Sequence, residues 1–184
     1  MGTEAGIGIA GGSRADQMYE EAAAAFGPAL QRLARGYEAD PDRRLDLLQE
    51  IHFNLWRSFA DFAGRCSLRT WVYRIAHNVA ASHVAKSRRL TSRMLVGLED
   101  IEALPATKNS EAVIAGRDAL GHLLRMIQRL KPLDRQVILS YLEGMDAASI
   151  GEITGLSPGN VATKIHRIKS ILARWFQEGE QNEK

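Results

Sequence analysis

The sequence has little of several residue types that define particular protein classes. It contains one cysteine, Cys66, which excludes an internal disulfide framework and is typical of a protein in a reducing cytoplasm. Prolines number five in 184 residues and strand-like alternation is rare, while Ala, Leu, Arg and Glu are abundant. No run reaches the roughly 18 to 20 uncharged apolar residues that a membrane helix needs. We therefore expect an all-α protein without direct membrane insertion.

The sequence motifs of common enzymes are also missing. There is no Walker loop, no His-Glu-x-x-His and no serine nucleophile elbow. His52, His77 and His83 do not have metal-ligand spacing with Cys66. We therefore expect neither an enzyme nor a metal or other cofactor. The net charge of +2 is too small to indicate nucleic-acid binding by itself.

Helical periodicity divides the chain into two small helical domains, which we expect at 16–89 and 113–177. Residues 90–112 include an acidic stretch with Pro105 and lack clear periodicity, so we interpret them as a flexible linker. The glycine-rich residues 1–15 lack the basic start and apolar core of a signal peptide, and we expect a disordered tail there. The polar residues 178–184 predict a second disordered tail.

The second domain contains the pattern of a helix-turn-helix, a motif that binds duplex DNA. Asp146 and Ser157 are suited to capping two helix starts, and Pro158 follows at a first helical position. Gly155 is placed to end the first of these helices in the left-handed conformation, and Gly151 is small where two helices must cross closely. With two helices upstream, this predicts a DNA-binding domain of four helices.

The helix that begins at Pro158 has an apolar arc and a polar arc. The apolar arc, which we expect to be buried, comprises Val161, Ile165, Ile168, Leu172, Trp175 and Phe176. The polar arc comprises Asn160, Thr163, Lys164, Arg167 and Arg174. Amide, lysine and arginine groups on such an arc can contact base edges and phosphates, although a solvated face has the same pattern. The apolar residues expected to form the rest of this core are Leu124, Ile127, Leu130, Val137, Ile138, Tyr141 and Leu142.

The first domain contains an amphipathic helix with an aromatic residue on its polar face. Leu48, Ile51, Leu55 and Phe59 share the apolar face, and Asp46, Gln49, Glu50, Phe53 and Arg57 share the other. Phe53 among charged groups indicates a protein partner. The alternative is that the N-terminal helix, Tyr19 to Ala34, covers Phe53.

A loop and a second helix of the first domain have residues suited to unstacked bases. Ser67 is expected to cap this helix, whose core stripe is Leu68, Val72, Ile75 and Val79. The side chains expected to point away are Thr70, Arg74, His77 and Ala81, with Trp71 and Asn78 at one side. Aromatic rings and guanidinium groups stack on bases, and amides bond to base edges. Phe62 in the loop and Trp71 are also common as simple core residues.

Together these motifs resemble a known family. The chain resembles the extracytoplasmic-function sigma factors of bacterial RNA polymerase in three segments and in their order. These are Asp46-Leu-Leu-Gln-Glu, Ser67-Leu-Arg-Thr-Trp-x-Tyr-Arg-Ile-Ala-x-Asn78 and the terminal helix-turn-helix. The resemblance covers roughly residues 20–177 and implies two domains, regions 2 and 4, joined by a linker. It implies a cytoplasmic protein whose partners are core RNA polymerase, promoter DNA and an anti-sigma factor.

The resemblance also assigns roles to residues. Asp46, Gln49, Glu50 and Phe53 would dock on the clamp of the polymerase's largest subunit, and part of the second domain would touch the flap. The residues implied to bind the melted −10 element are Phe62, Gly64, Arg65, Ser67, Trp71, Arg74, His77 and Asn78. The residues implied to bind the −35 element are Ser157, Asn160, Thr163, Lys164 and Arg167.

Three positions depart from the family pattern. His52 stands where a phenylalanine is common on the core face, which indicates different packing or a small polar network. Asn160 and Ala162 replace the usual Thr and Lys, so the promoter preference does not transfer. The alternative function is a helix-turn-helix regulator that acts without polymerase, but such a protein would lack the pattern from Ser67 to Asn78.

Overall fold

The computed structural model describes residues 14–95 and 115–182, and these ranges contain helices and no strands, which confirms the all-α prediction. The first three helices are α1 (Arg14–Tyr37), α2 (Pro41–Ser58) and α3 (Leu68–Leu95), with a short 3-10 turn at Phe59–Asp61. The others are α4 (Ala115–Arg129), α5 (Pro132–Leu142), α6 (Ala147–Thr154) and α7 (Pro158–Asn182). Within the described ranges, no helix is both long and apolar enough to cross a bilayer.

The helices extend further than the sequence pattern indicated. α1 begins at Arg14, inside the expected tail, and α3 continues to Leu95, six residues into the expected linker. α7 continues to Asn182, past the expected end at 177. The rest of the expected tails and linker lies outside the described residues.

The core of the first domain lies between α1, α2 and α3. Leu30 and Leu33 of α1, and Leu47, Ile51 and Leu55 of α2, are buried. Burying a large apolar side chain stabilises the folded state by about 1.5–3 kcal/mol, and this is the main stabilising contribution in such a core.

His52 is half-buried beside this core. Its Nδ1 lies 3.1 Å from the Tyr19 hydroxyl, and the two rings meet edge to face. Burial lowers the pKa of His52. The position that departs from the family pattern therefore holds a small polar contact, one of the two arrangements expected.

The core of the second domain contains most of the predicted apolar positions. Ile127, Leu130, Val137 and Ile138 are buried as expected. The prediction was wrong for Tyr141 and Leu142, which are 38% and 52% exposed. Near the end of α5, the two preceding residues, Leu139 and Ser140, face the first domain instead.

The two domains pack against each other. α3 contacts α5 and α6, and α1 contacts α4 and α5. Gly36 of α1 permits part of this packing, because an added Cβ would lie 2.5 Å from the Leu139 side chain. The buried residues of both domains form one continuous hydrophobic cluster. The amphipathic patterns did not indicate this contact.

Candidate nucleic-acid interface

The α6–turn–α7 segment has the geometry of a helix-turn-helix. The Asp146 carboxylate accepts the Ser149 N–H at 2.7 Å, and the Ser157 hydroxyl accepts the Asn160 N–H at 3.3 Å. The bonds from Ser149 lower the pKa of Asp146. Gly155 has φ +76° at the end of α6. These contacts confirm the predicted caps and the predicted left-handed glycine.

Gly151 is required for a different reason from the one expected. A Cβ at this position would lie 2.6 Å from the backbone carbonyl oxygen of Leu156, in the turn. The close neighbour is thus the backbone of the turn and not the surface of a crossing helix. Since the turn sets the direction in which α7 leaves, Gly151 helps to fix the position of the helix that follows.

The two arcs of α7 largely match the sequence pattern. Val161, Ile168 and Leu172 are buried, and Ile165 and Trp175 are partly buried. Phe176 is a correction: it is 37% exposed, because its ring lies at the edge of the domain beside the His122 ring, with the two centroids 5.5 Å apart. On the polar arc, the exposed side chains are Asn160, Thr163, Arg167 and Arg174.

Lys164 and Arg167 of the polar arc share an anionic partner. The Lys164 ammonium lies 2.6 Å from one carboxylate oxygen of Asp134, and Arg167 Nη2 donates to the other at 3.3 Å. Asp134 lies in the first turn of α5 and is 6% exposed. The arc is therefore linked to the interior of the domain through a buried carboxylate, which the apolar pattern of α5 did not predict.

The first domain has a cavity of about 420 Å³ at the loop between the 3-10 turn and α3. The ring centroids of Phe62 and Trp71 lie 5.3 Å apart at this cavity, and Trp71 Nε1 donates to the Ser58 hydroxyl at 3.0 Å. Gly64 gives the loop its turn with φ +70°. The residues that line the cavity are Asp61, Phe62, Ala63, Arg65, Cys66, Trp71, Arg74 and Glu152.

Two features of the cavity are relevant to ligand chemistry. The Nε atom of Arg74 is buried without a hydrogen-bond acceptor in the protein. A buried guanidinium N–H without an acceptor is costly, so a bound acceptor would be stabilised there. Glu152 belongs to α6 of the second domain, so that domain adds a second carboxylate, beside Asp61, to a cavity that also contains two arginines and two aromatic rings.

His77 does not belong to the exposed surface, contrary to the prediction. Its side chain is fully buried, with Nδ1 2.9 Å from the Tyr37 hydroxyl and Nε2 2.9 Å from the Ser140 hydroxyl. Burial lowers the pKa of His77 to about 3. The reason is that α5 of the second domain covers this part of α3. Asn78, the next residue, is exposed.

Ser67 and Thr70 have structural contacts at the start of α3. Ser67 Oγ accepts the Thr70 N–H at 3.0 Å and donates to Thr70 Oγ1 at 2.9 Å. Thr70 is buried, although the sequence pattern placed it on the outward face. Ser67 therefore caps α3 as predicted, with its hydroxyl directed at the helix backbone and at Thr70.

The outer face of α2 is an exposed surface with an aromatic pair. Phe53 and Trp56 are 59% and 46% exposed, with ring centroids 6.3 Å apart. α1 does not cover Phe53, which removes the alternative interpretation of that residue. Asp46 and Gln49 are exposed beside it, and Glu50 pairs with His83 at 3.0 Å.

Glu143 connects the two domains just before the helix-turn-helix. Its carboxylate accepts Arg32 Nε and Nη2 at 2.7 and 2.6 Å, and the Tyr73 hydroxyl at 3.2 Å. Arg69 also donates to the main-chain oxygen of Glu143. This bonding raises the pKa of Arg32, and burial raises the pKa of Tyr73 to about 12. Three residues of the first domain are thus bonded to one residue of the second.

Comparison with known proteins gives matches in both domains. The family model for sigma-70 region 2 matches residues 23–90, and the model for sigma-70 region 4 matches residues 120–172. The RNA polymerase sigma-H factor of Pseudomonas aeruginosa is 26% identical over 145 residues, which cover 75% of each chain. The ECF RNA polymerase sigma-E factor of Escherichia coli K12 is 28% identical over 134 residues, covering 69% of this chain and 70% of the relative.

Solved structures show a similar fold. CnrH, in its complex with the cytosolic domain of CnrY, matches with a TM-score of 0.62 and 21% identity, covering 89% of this chain and 95% of that chain. The sigma factor RpoE of Bartonella quintana, in its complex with the anti-sigma factor NepR, matches with a TM-score of 0.65 and 20% identity. That match covers 86% of this chain and 96% of the other.

The two family models match separate parts of the chain, in the order region 2 and then region 4, and each falls on one helical domain of the structure. The sigma-factor relatives extend over both domains. The chain belongs to the extracytoplasmic-function group of the RNA polymerase sigma factors.

Proposed function

We propose that this sigma factor directs core RNA polymerase to promoters through two separate DNA contacts, one on duplex DNA and one on melted DNA. The observation that carries this proposal is the presence on one chain of a capped helix-turn-helix and of a cavity that combines two aromatic rings with two arginines. A regulator that acts without polymerase needs the first site only.

The upstream contact is made by the exposed arc of α7 in the major groove. Asn160 lies near the start of the helix, where a recognition helix reaches base edges, and its amide is suited to adenine. Thr163 and Arg167 extend the same arc, and the Arg167 side chain is 60% exposed. Lys164 contributes positive charge beside them. Ser157 acts as the helix cap that orients the first turn.

The downstream contact is made by the cavity of the first domain. Phe62 and Trp71 supply rings on which an unstacked base can stack, a contact worth about 1–3 kcal/mol per base. Arg65 and Arg74 supply guanidinium donors, and the buried Nε of Arg74 takes an acceptor from the captured nucleotide. Stacking and hydrogen bonds of this kind offset the few kcal/mol lost when a base leaves the duplex. Asn78 extends the contact along the exposed side of α3.

The contact with polymerase is made by the outer face of α2. Its centre is the Phe53 and Trp56 pair, rimmed by Asp46 and Gln49, an arrangement of aromatic anchors and polar rim that is typical of protein interfaces. The clamp of the largest subunit is the proposed partner, and the flap is proposed to contact the second domain. The protein works in the cytoplasm, where core polymerase acts.

An anti-sigma protein is a further proposed partner. The solved relatives CnrH and RpoE are each in complex with a partner protein, and NepR is an anti-sigma factor. The exposed aromatic pair on α2 offers a surface that such a protein can cover. A protein bound there would compete with core polymerase.

The test of the proposed function is transcription by a reconstituted holoenzyme. The full chain is mixed with core polymerase, and run-off transcripts are measured from genomic fragments that the holoenzyme retains. We expect transcripts that depend on this chain, and permanganate-reactive thymines upstream of each start. Arg65→Ala should reduce permanganate reactivity, while Arg14→Ala, which removes an exposed cation at the start of α1, should leave it unchanged. Tight binding of the chain alone to duplex DNA, without association with core polymerase, would favour the regulator instead.

A further inference from the structure

Asp134 is a buried acidic residue in contact with the helix proposed to read DNA. It lies in the first turn of α5, is 6% exposed, and bonds to Lys164 at 2.6 Å and Arg167 at 3.3 Å. Both cations lie on the polar arc of α7. An acidic group that is bonded to two cations of a DNA-facing surface opposes phosphate binding by its charge, so its presence there needs a specific explanation.

The geometry leaves both cations able to bind a second partner. An ammonium has three donors and a guanidinium has five, and each side chain directs one N–H to Asp134 in the hydrogen bonds described above. The side chains of Lys164 and Arg167 are 24% and 60% exposed. Their other donors therefore remain at the protein surface. Asp134 therefore bonds to one terminal nitrogen of each cation from within the domain, and each cation keeps further donors for a second partner.

We infer that Asp134 is a positioning residue that determines how selectively this sigma factor reads its upstream element. The inference rests on the proposed function of α7. By bonding to both cations, Asp134 restricts two long, flexible side chains to a narrow range of directions. Base readout depends on direction, whereas attraction to phosphate does not.

The charge of Asp134, like its position, favours selective binding over non-specific binding. It cancels one of the two positive charges on Lys164 and Arg167, which lowers attraction to any DNA sequence without removing donors for base edges. Non-specific affinity rises with the number of phosphates neutralised and falls steeply with salt. A neutral residue at 134 should therefore increase binding to unrelated DNA and decrease discrimination between sequences.

The experiment is a selection by holoenzyme. Full-length protein with core polymerase selects from a pool of duplex DNA that is randomised over the upstream element, and the enriched sequences are compared for wild type, Asp134→Asn and Asp134→Glu. Affinities for the enriched duplex and for a scrambled duplex are then measured over a range of salt concentrations. Thermal unfolding of each variant is recorded in parallel.

We expect Asp134→Asn to lower the ratio of the two affinities roughly tenfold, the scale of one good base contact. The salt dependence should steepen by about one phosphate contact, because Lys164 becomes free to bind a phosphate. Asp134→Glu keeps the charge and should recover part of the discrimination. If Asp134→Asn lowers both affinities equally and leaves their ratio within about twofold of wild type, Asp134 is only structural and the inference is overturned.

Two further variants keep the result interpretable. Glu178→Gln makes the same change in net charge on an exposed part of α7, roughly 20 Å along the helix from Lys164, and should leave the ratio unchanged. If Asp134→Asn does not fold, Lys164→Arg disturbs the same contact from the surface while keeping its charge. It should alter the enriched sequences without altering the salt dependence, and unaltered sequences would overturn the inference.

The proposed function and this inference fail in different ways. If wild-type holoenzyme enriches no upstream sequence, the proposed role of α7 is wrong and the inference falls with it. If wild type enriches a sequence and Asp134→Asn enriches the same one equally sharply, the proposed function stands and the inference alone is wrong.

Discussion

The imidazole of His77 lies between two hydroxyl groups that come from different domains. Tyr37 is in the first domain and Ser140 is in the second, and burial lowers the pKa of the ring to about 3. The other ring nearby is that of Tyr73, with its centroid 6.2 Å away. A neutral histidine in this place accepts one hydrogen bond and donates another, so both hydroxyl groups are satisfied.

The burial of His77 predicts a dependence of stability on pH. Because the folded protein holds the pKa below the ordinary value of 6.5, only the unfolded chain takes up a proton as the pH falls below 6.5. The contribution of neutral, buried His77 to the free energy of unfolding is complete above that pH. It is lost progressively as the pH falls toward 3. Between pH 7.5 and 5.5 we expect a loss of about 1.4 kcal/mol in the free energy of unfolding. Urea unfolding of wild type and His77→Gln at the two pH values measures this loss. An equal loss in both proteins would show that His77 is not its cause.

Phe53 gives a prediction about polymerase binding. Phe53→Ser should reduce co-elution with core polymerase at least tenfold, because the exposed ring is proposed to be an anchor of that contact. Its thermal stability should change little, since the ring is 59% exposed. Leu55→Ala, on the buried side of the same helix, should instead cost about 2–5 kcal/mol of stability. Unchanged co-elution of Phe53→Ser would remove this residue from the proposed surface.

Exposure could be predicted for some residues and not for others. Phe53 and Asn160 were placed correctly because each lies on the outer face of an amphipathic helix that packs on one side only. His77 and Thr70 were misplaced because α3 is covered on two sides, and a helical wheel does not show which neighbours arrive from another domain. Asp134 was not identified as a buried residue, since its burial depends on two cations that lie thirty or more positions along the chain.

Among the elements, the turn of the helix-turn-helix depends most on individual small residues. Gly151→Ala would place a Cβ against the Leu156 carbonyl, and backbone cannot move aside as a flexible side chain can. We expect a loss of about 1–3 kcal/mol in stability, the usual range for overpacking, and weaker binding to upstream DNA. Thermal unfolding and binding of holoenzyme to an upstream duplex measure the two effects.

Gly159 provides the matched control on the next helix. A Cβ at Gly159 has no neighbour within 4 Å, so Gly159→Ala should keep or slightly raise the stability, by up to about 1 kcal/mol. If Gly151→Ala were as stable as Gly159→Ala, the turn would have more freedom than its geometry indicates.

Helix starts and turns were the elements best predicted from the sequence. Asp146, Gly155 and Ser157 act locally, through bonds to residues three or four positions away, so their roles can be read from spacing alone. Helix ends were less predictable. α3 continues through a basic segment to Leu95, and no glycine or proline in that segment indicates where the helix ends. The cavity at Phe62 and Trp71 was anticipated as a set of residue types, but its eighth lining residue, Glu152, comes from a distant helix.

At the scale of the whole molecule, the second domain covers surfaces that the proposed function requires. Glu152 lines the cavity that we propose to capture a base, and Arg69, two residues before Trp71 of that cavity, is bonded to the backbone of Glu143. We therefore expect the packed arrangement to oppose base capture and the domains to separate before melted DNA enters.

Glu143→Ala should favour separation of the domains. It removes the carboxylate that accepts Arg32 and Tyr73, so the fraction of open molecules should rise. Small-angle X-ray scattering of the free protein should show a larger radius of gyration, and capture of single-stranded −10 DNA should be faster. Glu20→Ala, on an exposed part of α1, is the control and should change neither. An unchanged radius in Glu143→Ala would mean that other contacts hold the domains together.

The packing of Gly36 against Leu139 has a consequence for how such sequences diverge. A side chain at position 36 would meet the end of the Leu139 side chain, so residue 139 must move or be smaller to accommodate it, although the two positions lie in different domains. Related proteins that keep this arrangement should therefore change the two positions together, and those that have lost it should change them independently. Joint substitution at 36 and 139 among related sequences would then show which of them have retained the packing between the two domains.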